Sequence, residues 1–161
     1  FDGNVYLDYN VVRQEHSPIF SVASFYPLWA GVATTEQAKK TVENLHRLEY
    51  PYGISTCEKG VRKTPYQWDY PNGWAPLQYI MVHALERYGY REDAKRIAHK
   101  YIDAMERIFA QTGTLWEKYN VTNGSLNVTN EYHMPPMLGW TAGVYVDFKE
   151  YVKKLEMDEI K

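Results

Sequence analysis

Apolar residues recur at helical spacing through most of the chain, and that spacing fails in two long stretches. Residues 19–31, IFSVASFYPLWAG, are apolar nearly all round and predict a buried helix bent at Pro27. Thr34 and Gln37 make a capping box, and Ala38, Val42 and Leu45 then form a stripe that predicts helix down to about Leu48. Helix returns at Trp74, where Leu77, Ile80, Met81, Ala84, Leu85 and Tyr88 repeat correctly. Pro76 is tolerated in the first turn there and Gly89 is the stop. A stripe of Ala94, Ile97, Ala98, Tyr101, Ile102, Met105, Ile108 and Phe109 predicts a helix from Glu92 to Gln111, ended by Gly113. The last predicted helix runs from about Gly139 to Leu155 and turns charged in EYVKKLEMDEIK, a solvated end.

The connections alternate: short at 31–34, long at 49–73, short at 89–91 and long at 113–138. Successive connections of an antiparallel helical array lie at opposite ends, so alternation puts both long loops at the same end. Long loops within compact domains usually carry function. The pattern predicts an all-α fold: antiparallel hairpins forming part of an α/α toroid, with the active-site loops on one rim. An up-down bundle is the alternative. About five helices make roughly half a toroid, so an apolar face is expected where further helices would dock, and in isolation that face would promote a homo-oligomer.

Length and charge narrow the function. The 161 residues suit one domain, and a net charge of −2 with dispersed Lys and Arg argues against a nucleic-acid partner. No apolar run reaches the ~18 residues of a membrane span, and no basic-then-apolar signal peptide opens the chain. It begins at Phe1, which reads either as a cleaved end or as a piece of a longer protein. Cys57 is alone and cannot form an internal disulfide. His16, His46, His83, His99 and His133 lack metal-ligand spacing, so neither a metal nor another cofactor is expected. Three glycosylation acceptors, at Asn120, Asn123 and Asn127, read as coincidence, because glycans would obstruct an active-site rim.

The aromatic content changes the picture more. Among 15 Tyr and 5 Trp, many fall in the polar loops, where rings offer flat faces for sugars or bases. The first long loop ends in QWDYPNGWAP, and the second holds LWEKYNV and NEYHMPPMLGWTAG. Carboxylates interleaved with rings suit a carbohydrate site. Rings cover the C–H faces of a sugar, polar side chains bind its hydroxyls, and two carboxyl groups flank the scissile bond.

The QWDYPNGWAP stretch resembles the second signature of the trehalase family, Gln-Trp-Asp-x-Pro-x-Gly-Trp-small-Pro, and every fixed position matches. The resemblance continues through LQYI, Tyr88–Gly89, EKYNV, the Glu131–Tyr132 pair and Gly-Trp-Thr at 139–141, so it covers most of the chain from about Phe25 to Val146. It implies an (α/α)6 toroid, of which these residues would be the C-terminal portion, and inverting hydrolysis of α,α-trehalose. By position, Glu117 would be the catalytic base. Trp68, Asp69, Asn72 and Trp74 would bind sugar, and Glu131 and Trp140 would lie around the second glucose unit. The family's catalytic aspartate, in a Gly-Trp-Asp context, and its Pro-Gly-Gly-Arg-Phe signature have no match here. TNGSLNVTN replaces the glycine-rich run before Glu131, and HMPPML replaces the residues after it. The acid is therefore expected from outside these residues, on this protein or a partner chain, and the exact sugar stays open.

Plainer roles compete. Glu117 could be a surface glutamate paired with Lys118, Asp69 a cap for the helix that follows, and Trp74 and Trp140 core. At the level of function, the alternatives are a non-catalytic carbohydrate-binding helical domain or a related toroidal glycosidase acting on another α-linked sugar.

Overall fold

A computed structural model describes residues 1–60, 63–136 and 139–159. Met137 and Leu138 of the HMPPML stretch and Ile160 and Lys161 of the charged end lie outside the described residues. Five α-helices carry the fold: α1 (Tyr26–Trp29), α2 (Thr35–Glu43), α3 (Ala75–Arg87), α4 (Arg91–Thr112) and α5 (Gly139–Glu159). Three two-stranded antiparallel ladders join them: β1 (Tyr9–Asn10) with β2 (Glu15–His16), β3 (Glu49–Tyr50) with β4 (Gly53–Ile54), and β5 (Asn72–Trp74) with β6 (Lys118–Asn120).

Helix α3 is the hub and packs on α1, α4 and α5. Its Leu77, Ile80, Met81, Ala84 and Leu85 are buried, Pro76 sits in the first turn, and Gly89 follows with φ of +83°. Helix α4 buries the predicted stripe from Ala94 to Ile108 and closes on Gly113 in the left-handed region. Phe109 departs from that stripe. It is 53% exposed, because it lies one position round from Ile108, which already faces the core. Helix α5 turns Val144, Phe148, Val152 and Leu155 inward.

The segment predicted as one bent helix is shorter and differently built. Ser21 caps a 3-10 turn over Val22–Phe25 by accepting from the Ala23 amide, and α1 begins only at Tyr26. Pro27 therefore occupies the first turn, where no amide hydrogen is needed, rather than bending a helix interior. Phe20, Val22, Phe25 and Leu28 are buried, whereas Tyr26 and Trp29 are exposed. The capping box of α2 is present in both directions: Gln37 N donates to Thr34 Oγ1 and Thr34 N to Gln37 Oε1. A 3-10 turn over Leu45–Arg47 then brings Leu45 and Leu48 into the core.

Both long loops meet at one end of the helices, as the alternation of connection lengths predicts. The link is the β5–β6 ladder, which pairs Asn72 with Asn120, Gly73 with Tyr119 and Trp74 with Lys118. Gly73 permits it: a Cβ there would overlap Val121 Cγ1 and stand 3.2 Å from the Tyr119 ring. Gln78, fully buried on α3, accepts from Ile54 N at 2.8 Å and donates to Ile54 O at 2.6 Å. Its amide thus takes the place of a neighbouring strand for the edge of β4.

Candidate active site

The ladder places the signature loop and the Glu117 segment side by side. Trp74 both ends β5 and is the residue before α3, so its indole is fixed by two elements at once and is 1% exposed. Its Nε1 donates to Gln67 O at 3.0 Å. Trp68 stacks on it with centroids 3.8 Å apart and planes 4° from parallel, and Trp68 keeps 44% exposure. Trp140, in the first turn of α5, meets Trp74 edge-on at 6.0 Å and is 40% exposed. The result is a wall with Trp74 behind and two rings reaching solvent.

Beside it lies a buried ion pair. Lys118 has no exposed side-chain surface, and its Nζ donates to Glu117 Oε2 at 2.7 Å. The ammonium is also held between two aromatic faces, 4.9 Å from the Trp74 ring centre and 4.8 Å from that of Tyr132. Glu117 Oε1 accepts from the Tyr132 hydroxyl at 2.6 Å. That hydrogen bond, together with desolvation and the carboxylate's charge, pushes the Tyr132 phenol up to about 12. Glu117 is thus paired with Lys118 but is not a surface residue. It sits in the interior with each oxygen engaged and a second lone pair on each for another donor.

The remaining expected site residues take different places. Asp69 does not cap α3. Its Oδ2 accepts from Tyr66 N at 2.7 Å and its Oδ1 from Cys57 Sγ at 3.7 Å, which closes the turn that presents Trp68. Burial pushes the Cys57 thiol up to about 11. Asn72 is fully buried and works on the backbone: Nδ2 donates to Gln67 O and Thr129 O, and Oδ1 accepts from Thr129 N. It ties the two loops together and offers no free amide hydrogen to a ligand. Glu131 is exposed and accepts from Gln67 N at 3.3 Å. Trp116 anchors through Nε1 to Thr112 Oγ1, while its carbonyl accepts from Thr141 Oγ1.

Sequence reasoning left out Tyr132 and Gln67 as site members and gave Lys118 only a supporting place. Tyr132 follows Glu131 directly, and Gln67 is the first letter of the signature, so a signal was present for each. Asn120 is 7% exposed and donates its amide to Asn127 O, which leaves that acceptor unsuited to modification. Among the described residues no group of His, Cys, Asp and Glu could hold a metal ion, and no helix is long and apolar enough to cross a membrane.

Known proteins share this pattern. A family model described as Trehalase matches residues 2–153. A periplasmic trehalase of Xanthomonas oryzae is 38% identical over 141 residues, covering 86% of this chain and 24% of its own length. A cytosolic neutral trehalase of Kluyveromyces lactis is 39% identical over 128 residues, covering 74% of this chain and 17% of its own. The chain thus spans about a quarter or less of the curated relatives it matches. Among solved structures, neutral trehalase from Saccharomyces cerevisiae superposes with a TM-score of 0.81 at 35% identity, over 93% of this chain and 27% of that one. A mannosylglycerate hydrolase from Thermus thermophilus, in complex with glucose, superposes at 0.68 and 18% identity over 90% of this chain and 32% of that one, a likeness of fold. The helices and single loop-bearing rim described above are those of part of a helical toroid.

Proposed function

The chain belongs to the trehalase family, and from that premise we propose that its site serves the inverting hydrolysis of α,α-trehalose to glucose, with Glu117 as general base. The observation that carries this reading is the setting of Glu117. It is a buried carboxylate held from both sides by Lys118 and Tyr132 against a wall of tryptophans. A base must hold its oxygens still and keep a lone pair for the attacking water, and two fixed donors leave that capacity.

Trp68 presents its outer face to the C–H face of a glucose unit, with Trp74 as its rigid backing. Asp69 and Glu131 bind hydroxyls, and Trp140 borders the second unit. Asn72 acts through loop position. The acid that protonates the leaving oxygen comes from outside these residues, in the part of a toroid they complete. In an inverting site it stands about 6.5–9.5 Å from Glu117, with the water between. Inversion at one anomeric carbon releases one α- and one β-glucose per trehalose. In the full-length protein, Glu117→Gln lowers kcat by about 10²–10⁴-fold while KM changes little, since a general base acts in the transition state. Turnover within a few-fold of the unaltered protein, or two α-glucose products by NMR, refutes the assignment.

A further inference from the structure

Stability alone does not call for a lysine at position 118. Its side chain has no exposed surface, and among the described residues its ammonium pairs with one carboxylate, that of Glu117, at 2.7 Å. Taking two charges into an interior costs several kcal/mol per ion, and apolar residues of similar volume often serve folding as well or better. The surroundings nevertheless keep the charge in place. Trp74 faces Lys118 across the β5–β6 ladder, and its ring centre lies 4.9 Å from Nζ. The Tyr132 ring centre lies 4.8 Å from the same atom. Each ring turns a negative face to a cation. Two elements of the candidate site thus seat an ammonium on one carboxylate, with bulk water kept out.

A charge that water does not screen acts strongly on the group it touches. Lys118 of β6 holds Glu117 Oε2, and Tyr132 of the following loop donates to Oε1. The Glu131 carboxylate bears on Tyr132. Tyr132, its phenol pushed up to about 12, stays neutral and a donor at working pH. Lys118 is therefore the positive charge in contact with Glu117. Resting on the reading of Glu117 as general base, we propose that Lys118 is a positioning residue for the reaction. Its ammonium fixes Oε2 and keeps the carboxyl ionised, so that Glu117 can take a proton from water. Lys118 acts only through Glu117 and touches no substrate.

The test is the pH profile of trehalose hydrolysis by the full-length protein. Lys118→Met removes the charge and keeps the stem. Its kcat is expected to fall about 10–100-fold, within the share of a general base, with KM changed by no more than a few-fold. The acid limb of kcat/KM should rise by about 1–3 pH units, because a carboxyl that loses a cationic neighbour protonates more readily. Lys118→Arg keeps the charge but not its place, since a larger planar head meets a site without exposed surface. It should hold the acid limb of the unaltered protein while kcat falls, and it decides the matter if Lys118→Met does not fold. A lysine that serves folding alone would lower the melting temperature and leave both limb and kcat unchanged, which overturns the proposal. An acid limb that rises as far with Lys118→Arg, or full turnover in that variant, overturns it too. Glu117→Gln separates the two readings. Retained turnover there removes the base itself, whereas lost turnover there with an unaltered Lys118→Met profile removes only the role of Lys118.

Discussion

Replacing Lys118 by Met isolates the ion pair beside the tryptophan wall. Methionine keeps the length and packing of the stem between the Trp74 and Tyr132 rings but deletes the ammonium. Glu117, with 6% of its side chain exposed, would then keep only the Tyr132 hydroxyl. Breaking a buried pair from one side costs about 3–5 kcal/mol, because a charge is stranded in the interior. Sulfur–aromatic contacts return part of the lost cation–π attraction, so the loss should fall within that range. Glu117→Leu strands the ammonium instead and should cost about the same. The double variant strands nothing, and replacing a whole buried pair by apolar residues is close to neutral. The cycle should therefore show a coupling of about 3 kcal/mol or more, far from additivity. Urea unfolding of the full-length protein, followed by tryptophan fluorescence, measures all four corners. A cost below about 1 kcal/mol for Lys118→Met, or additive losses in the double variant, would refute the claim that the pair is desolvated and mutually dependent.

Gly73→Ala should destabilise by about 1–3 kcal/mol in thermal unfolding, since its methyl overlaps Val121, and Val121→Ala in the same chain should recover part of the loss. Trp68→Ala should weaken trehalose binding by about 1–3 kcal/mol, read by calorimetry, while unchanged affinity would remove Trp68 from the site. Glu49 supplies a pH test. Burial raises its carboxyl, but hydrogen bonds and charge from Arg96 and Lys100 outweigh that and hold it below its usual 4.5. A depressed carboxyl stabilises above its unfolded value and loses that contribution as pH falls through the folded one. Glu49→Gln should thus be less stable at pH 7 by urea unfolding, with the gap closing below about pH 4.5.

Much of the helical frame was readable because burial follows period: the stripes of α3 and α4 are core stripes, and Thr34 and Gln37 cap α2 from local chemistry alone. The single loop-bearing end was readable too, from connection lengths. What escaped were pairings between distant residues that leave no period. The β5–β6 ladder joins positions 44 or more apart in sequence through backbone atoms, which any side chain could offer. Gln78 has no place in the apolar period of α3, yet its amide is what completes β4. The burial of Lys118 rests on the rings of Trp74 and Tyr132 on either side, contacts that no sequence period marks. Phe109 failed in the other direction, as an apolar residue counted into a stripe that Ile108 had already filled.

The ladder also determines which lengths in the chain can vary. Side chains along a strand alternate between faces, so one residue inserted within 118–120 would turn Lys118 away from Trp74 and carry Glu117 with it. Insertions at the exposed residues around 63–64 lie outside the paired backbone and leave that spacing alone. The tryptophan wall and Glu117 are therefore held as one unit. Loop length can drift on either side of it, and helix packing beneath it, without altering the distance across which a sugar would have to fit.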